Sequence, residues 1–161
     1  MSLVDPIVES DLGEIAEIRI DPISSSRSLF SKKNFKANEM IVGFISRATH
    51  TEPNYLTVQV GENKHIELLP ECLECMNNSC DPNCFFDTTS MTLVTLRPVA
   101  FGEEMTFFYP SAEWDMNSPF QCNCGNADCV GEIKGAKHLP TAALKKYRFT
   151  DFIRRKLAAR G

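Results

Sequence analysis

No apolar run in this sequence approaches the ~20 residues that a membrane-spanning helix needs. The longest, residues 40–45, is far shorter, so no membrane-spanning segment is expected. The first fifteen residues carry Asp5, Glu9, Asp11 and Glu14 but no lysine or arginine, which does not read as a secretory signal. An intracellular protein is therefore expected, with cytoplasm and nucleus not distinguishable. Low-complexity tracts and internal repeats are absent, which argues against disorder and against a solenoid. Strand–helix alternation is also missing, which argues against a doubly wound nucleotide-binding sheet. Histidine is scarce, at positions 50, 65 and 138, and none has an evident nucleophile or metal partner beside it. Surface or packing roles are expected for all three.

What is present is one domain's worth of chain: 161 residues, 43% hydrophobic and 24% charged. Seven cysteines in clustered positions point to metal or buried thiols rather than disulfides in a reducing compartment. The net charge of −4 conceals an asymmetry, since residues 1–132 hold 8 basic and 20 acidic residues whereas residues 133–161 hold 9 basic residues and Asp151. An acidic body attracts basic peptides and repels nucleic acid.

Short β-like segments recur between turn residues. Residues 17–20 and 55–60 alternate, 40–45 form an apolar run, and 64–68 follow the turn Gly61-Glu62-Asn63, which predicts a hairpin. Residues 91–96 and 105–109 bracket Arg97-Pro98 and Phe101-Gly102 and predict a second pair of strands. Helix formers come late, at residues 141–147 and 151–160, so one or two short basic helices should close the chain, either packed on the body or extended toward a partner.

The segment Cys122-Asn123-Cys124-Gly125-Asn126-Ala127-Asp128-Cys129 offers three thiols on a glycine-bent polar loop. A tight Cys-x-Cys closes poorly on itself but can present two thiolates to one ion, and a structural zinc site wants four ligands. Candidates for the fourth are Cys72, Cys75, Cys80, Cys84 and His138. Leu73 and Met76 mark Cys72 and Cys75 as a core-edge segment.

Three motifs occur in one order. Met76-Asn77-Asn78-Ser79-Cys80-Asp81-Pro82-Asn83 resembles the Asn-His-Ser-Cys-x-Pro-Asn signature of SET domains, and Glu103-Glu104-Met105-Thr106-Phe107-Phe108-Tyr109 their Glu-Glu-Leu-Thr-Phe-Asp-Tyr signature. The cysteine loop with Gly131 is similar to the post-SET Cys-x-Cys-x4-Cys-x-Gly. Arg27-Ser28-Leu29-Phe30 and Phe35-Lys36-Ala37-Asn38-Glu39 resemble the family's N-terminal segment, so the likeness runs from about Ile18 to Gly135.

The resemblance implies a mainly β protein with short helices: a SET-domain β-clip fold, a zinc-bound post-SET loop and a short C-terminal helical tail. It divides the chain into a SET domain (1–110), a post-SET zinc segment (111–135) and a basic helical tail (136–161). Cys80 becomes the fourth ligand of one zinc, with Cys122, Cys124 and Cys129. S-adenosylmethionine would lie against Ser26, Arg27, Ser28, Asn77, Asn78 and the chain near Ile133. Tyr109 matches the catalytic tyrosine, and Phe107 the position that limits how many methyl groups are added. On a strand these two share one face, while Phe108 takes the other and suits the core. Trp114 reads either as a stacking surface for cofactor or peptide, or as a plug beneath the cysteine loop.

The implied activity is methyl transfer to the side-chain amine of a lysine in a basic protein or peptide, a histone tail among the candidates. Four features depart from the family pattern. Its Gly-x-Gly is Ser26-Arg27-Ser28, its motif histidine is Asn78, its aspartate before the tyrosine is Phe108, and the stretch between Phe44 and Asn77 is short. These departures leave a second expectation, a catalytically inactive SET module that binds protein. Nucleic-acid contact through the basic tail is a third, which the acidic body disfavours.

Overall fold

The computed structural model describes residues 7–9 and 12–160. Among the described residues thirteen strands, mostly short, make four small sheets. The largest takes β1 (Ile7–Glu9), β2 (Ala16–Ile20), β3 (Arg27–Ser31), β11 (Glu104–Phe107) and β8 (Asn77–Asn78) in that order. A second runs β4 (Met40–Gly43), β10 (Thr92–Thr95), β9 (Cys84–Asp87), and a third β5 (Ile45–His50), β7 (Lys64–Leu69), β6 (Val58–Gly61). The short β12 (Phe120–Gln121) and β13 (Glu132–Ile133) pair with each other. Two helices, α1 (Thr141–Leu144) and α2 (Asp151–Arg160), close the described chain. Among the described residues no helix is long and apolar enough to cross a membrane.

Burial follows the two-residue period of strands. In β2, Ala16 and Ile18 are buried while Glu17 and Arg19 lie on the outer face, where the Arg19 guanidinium sits 4.0 Å over the Phe30 ring. These residues join a first core with Leu29, Phe86, Leu93 and Met105. A second core gathers Phe108, Ile133, Phe149 and Ile153 around Cys80 and Cys122. Cys72 and Cys75 lie buried in the first core, as the flanking residues predict.

Strand β11 changes partner midway. Its first half pairs antiparallel with β3 (Glu104↔Phe30, Met105↔Leu29), and its second half pairs parallel with β8 (Thr106↔Asn77, Phe107↔Asn78). Such a switch exposes backbone groups that must find other partners. Asn83, 2% exposed, supplies them: its Nδ2 donates to the Glu104 carbonyl at 2.8 Å and its Oδ1 accepts from Thr106 N–H at 2.9 Å. The Asn77 amide reaches across to the Arg27 carbonyl (3.1 Å) and Ser28 Oγ (3.0 Å), fastening β8 to β3.

Several sequence expectations change in detail. The apolar run at 40–45 is two strands in different sheets, because the chain turns at Phe44, whose N–H bonds the Met91 carbonyl at 3.0 Å. The alternating run at 55–60 begins as a turn held by Asn54, whose Oδ1 accepts from Leu56 N–H at 2.8 Å, and only Val58–Gly61 is strand. The hairpin from β6 to β7 forms with Gly61 opposite Lys64. Strands β10 and β11 do not pair: β10 lies between β4 and β9, because the intervening chain bridges Val99 to Phe35 and delivers β11 to another sheet.

The basic tail packs on the body. Phe149 and Ile153 are buried in the second core, and Tyr147 stacks on Phe108 at 3.8 Å while its hydroxyl donates to the Cys80 carbonyl at 2.7 Å. Thr150 caps α2, with Oγ1 accepting from Ile153 N–H at 3.3 Å. Lys137, Lys146, Arg148 and Lys156 pair with Asp115, Asp128, Asp87 and Glu62, so much of the tail's charge faces the acidic body. These exposed pairs add little stability individually.

The asparagine bridge at the strand switch is testable. Asn83→Leu removes two hydrogen bonds and leaves a buried carbonyl and N–H without partners, a loss of about 2–4 kcal/mol. Urea unfolding should show a lower midpoint with an unchanged m-value, and a variant as stable as the parent would contradict the assignment.

Candidate active site and metal centre

Four cysteine sulfurs, from Cys80, Cys122, Cys124 and Cys129, lie within 4.8 Å of one another. Cys80 Sγ is 3.8 Å from both Cys122 Sγ and Cys129 Sγ. A disulfide needs ~2.05 Å. A tetrahedron with ~2.3 Å metal–sulfur bonds has edges of about 3.8 Å, so the spacing fits a structural zinc and not a disulfide. The loop is shaped for this: Gly125 has φ +76°, a conformation costly for residues with a Cβ, and lets the chain double back between Cys124 and Cys129. Backbone N–H groups of Val130 and Cys124 point at Cys80 Sγ and Cys122 Sγ, each at 3.4 Å. Such donors favour thiolates and orient them. The cluster could hold one zinc ion. Cys84, buried near Phe85 and Phe86, and His138, whose Nε2 lies 2.9 Å from Asp115 Oδ1, are not part of it.

Next to the cluster lies Tyr109. The chain leaves β11 at Phe107, and Tyr109 opens a single 3-10 turn, Tyr109–Ser111, so the expected strand ends two residues early. Its N–H is taken by Asn78 Oδ1 at 2.8 Å, and Asn78 Nδ2 reaches Cys122 Sγ at 3.4 Å. The Tyr109 hydroxyl donates to the Met76 carbonyl at 2.9 Å. Burial, with the nearby Glu104 and Cys75, pushes this phenol up to about 12, so at neutral pH it remains a donor.

Tyr109 and Phe107 line a cavity of ≈ 300 Å³ with Phe86, Met76, Phe120 and Glu113. Phe107 meets Phe86 edge-on at 4.7 Å and Tyr109 at 4.7 Å, and Phe120 closes on Tyr109 at 5.7 Å. Phe108 points the other way into the second core. The expected division of faces therefore holds although the strand stops short.

The other expected residues lie outside this cavity. Ser26 and Ser28 flank the exposed Arg27 at the start of β3, with Ser28 Oγ and Glu104 Oε2 both bonded by Asn77 Nδ2. Neither serine has a positive φ; in that turn the left-handed residue is Ser25, at φ +63°. Serine in place of glycine therefore imposes no backbone strain at 26 or 28. Ile133 is wholly buried in the second core, where it pairs with Phe120 of β12. Trp114 packs with that same core and carries Lys156 Nζ 5.2 Å from its ring. Gly135 allows this packing: a Cβ there would sit 2.4 Å from the Trp114 carbonyl oxygen.

Glu113 has no counterpart among the residues singled out from sequence. It is 6% exposed, and neither carboxyl oxygen has a hydrogen-bond partner. Burial pushes its carboxyl up to about 9. The only sequence signal is its position four residues after Tyr109.

Residues 26–110 match the SET domain, 85 of the chain's 161 residues. The chain belongs to the SET-domain family. The match opens at Ser26 and ends just past Tyr109, so three of the four clustered cysteines and Glu113 lie beyond it; the cysteine group itself suggests a post-SET zinc cluster. Methyltransferase flvH of Aspergillus flavus is 39% identical over 108 residues, covering 66% of this chain and 60% of that protein. The H3 lysine-36-specific histone-lysine N-methyltransferase of Chaetomium globosum is 32% identical over 87 residues, 47% of this chain and 10% of its own length. Histone-lysine N-methyltransferase 2B of Homo sapiens is 27% identical over 124 residues, 64% of this chain and 5% of its own. The SET chain thus spans 60% of the first relative and a tenth or less of the others.

Two outcomes follow from this geometry. Purified protein should contain one zinc, and Cys80→Ser should lose it, whereas Cys72→Ser and Cys75→Ser should retain it; elemental analysis showing full occupancy in the Cys80 variant would contradict the four-sulfur site. Glu113 governs a pH effect. From the ordinary carboxylate value of 4.5 up to about 9, the folded protein holds a proton that the unfolded chain has released. The corresponding stability is complete below the lower value and is lost as pH rises through the upper one. Melting temperatures of parent and Glu113→Gln should agree near the lower value, with the variant higher at alkaline pH; parallel curves would contradict it.

Proposed function

We propose that this SET chain transfers a methyl group from S-adenosylmethionine to the side-chain amine of a lysine in a basic protein or peptide, a histone tail being one candidate. The observation that carries this reading is Tyr109: a half-buried, protonated phenol at the wall of an aromatic cavity, fixed by Asn78 and by the Met76 carbonyl. Zinc held by Cys80, Cys122, Cys124 and Cys129 has a structural part, since its four protein sulfurs leave no open position for chemistry.

The cofactor-side residues fit the proposed methyl donor chemically. Glu104 Oε2, held by Asn77 Nδ2 at 3.1 Å, offers a carboxylate complementary to the ammonium of an amino-acid group. When bound, the cofactor supplies an electrophilic sulfonium methyl. The protein's task is alignment and electrostatics. The walls of Phe86, Phe107 and Met76 suit the alkyl stem of the lysine, whose amine must shed its proton before it attacks. The Tyr109 hydroxyl orients it.

The alternative, an inactive protein-binding SET module, rests on the departures from the family pattern. The surroundings accommodate three of them: Ser26 and Ser28 are unstrained, Asn78 bonds both Tyr109 and Cys122, and Phe108 stacks on Tyr147. That favours the catalytic reading. The relatives named for histone lysine support a histone substrate, and the acidic body suits a basic peptide.

Mass spectrometry of a lysine-peptide pool incubated with S-adenosylmethionine tests this reading. Methylated peptides are expected, with turnover rising toward alkaline pH as the amine loses its proton. Tyr109→Phe should lower turnover by about 10²-fold or more while leaving fold and cofactor binding intact. Phe107→Tyr should shift products toward monomethyl-lysine, because its added hydroxyl takes space in the cavity. Parental turnover in Tyr109→Phe would overturn the catalytic assignment.

A further inference from the structure

The wall of the aromatic cavity holds one group that the aromatic residues do not explain. Glu113 is 94% removed from solvent by its 6% exposure, and both its oxygens lack a partner within the protein. Buried polar groups are otherwise nearly always satisfied, and one that is not points to a ligand. Glu74, the other carboxylate lining the cavity, is already committed: Leu68 N–H and the Arg47 guanidinium each reach Oε1 at 2.9 Å. No lysine, arginine or histidine lines the cavity among the described residues. The remaining walls are chiefly apolar and aromatic, suited to an alkyl chain.

We propose that Glu113 is the recognition group for the substrate nitrogen: a primary alkylammonium enters the cavity, its chain against Phe86, Phe107 and Tyr109, and its N–H donates to the Glu113 carboxyl oxygens. The identity of the amine as a methyl acceptor rests on the proposed function; the cation subsite itself does not. On binding, the proton of the resting carboxyl leaves to solvent and the ammonium takes its place as donor. The other titratable groups facing this space are Glu74, paired with Arg47, Tyr109, bonded to Met76, and the exposed Tyr55; Lys137 and His138, on the turn whose Ala136 N–H bonds the Glu113 carbonyl, are paired with Asp115. Glu113 thereby selects a positively charged substrate in a cavity whose other walls select only for shape.

The probe is n-butylamine, the short analogue of a lysine side chain, with butan-1-ol as its uncharged counterpart. Melting temperature and calorimetric titration at mildly alkaline pH are read for the parent, for Glu113→Gln, which keeps the shape, and for Glu113→Leu, which fills the volume without a polar group. Butylamine should stabilise the parent and bind both variants about tenfold to a hundredfold more weakly, the range for a charged hydrogen bond. Absence of butylamine binding to the parent, equal binding to parent and Glu113→Gln, or equal binding of butan-1-ol and butylamine to the parent would each overturn the subsite. Glu113-dependent butylamine binding without methyl transfer to any amine would overturn the proposed function and leave the subsite standing. Methyl transfer with an unchanged KM in Glu113→Gln would do the reverse.

Discussion

The side-chain amide of Asn78 joins two parts of the chain that lie far apart in sequence. Its oxygen holds the N–H of Tyr109 at 2.8 Å, and its nitrogen reaches Cys122 Sγ at 3.4 Å. Two residues on, Cys80 contributes a sulfur to the same cluster and a carbonyl to the Tyr147 hydroxyl. This short segment therefore anchors the phenol at the cavity wall, the cysteine loop and the C-terminal tail. Asn83 does similar work on β11, substituting its side-chain amide for strand partners where the strand passes from β3 to β8, and Asn77 ties β8 to Arg27 and Ser28 of β3. Polar networks in low-dielectric surroundings are rigid when each member is satisfied, and these amides have defined partners.

A metal held at the four sulfurs would give this arrangement its long-range consequence. Three ligands come from one loop and the fourth from a residue over forty positions earlier, so ion binding closes a large loop of chain and constrains the unfolded ensemble strongly. Phe108, Tyr147 and Ile133 pack around the cluster, and the tail joins the same core. Phe120, on the strand paired with β13, extends that region to the cavity beside Tyr109. Loss of a metal from the four sulfurs would thus be felt at the cavity through continuous packing.

The β-rich fold and the cysteine loop were legible because they depend on local pattern: two-residue alternation, turn residues and tight thiol spacing. Spacing alone left Cys80 among five candidates, and only the SET resemblance selected it, because its closeness to Cys122 is a property of the fold. Strands β10 and β11 looked like partners because they are adjacent in sequence. Their separation depends on the long-range bridge from Val99 to Phe35, which no local window contains. Glu113 was invisible for a different reason. A glutamate ordinarily lies in solvent, so its type gives no hint of burial. The tail's sequence left packing on the body and reaching a partner both open, and the pairs of Lys146, Arg148 and Lys156 with Asp128, Asp87 and Glu62 go with the packed arrangement.

The departures at Ser26, Ser28, Asn78 and Phe108 decide whether the asparagine-anchored site is a working one. The serines adopt ordinary backbone, Asn78 has taken on a bridging role, and Phe108 belongs to the packing around the cysteines. Each change has a local structural compensation. Calorimetric titration of the zinc-loaded protein with S-adenosylmethionine and with its demethylated product tests this most directly: the account predicts saturable, one-to-one binding of both, and no detectable heat at millimolar ligand would contradict it.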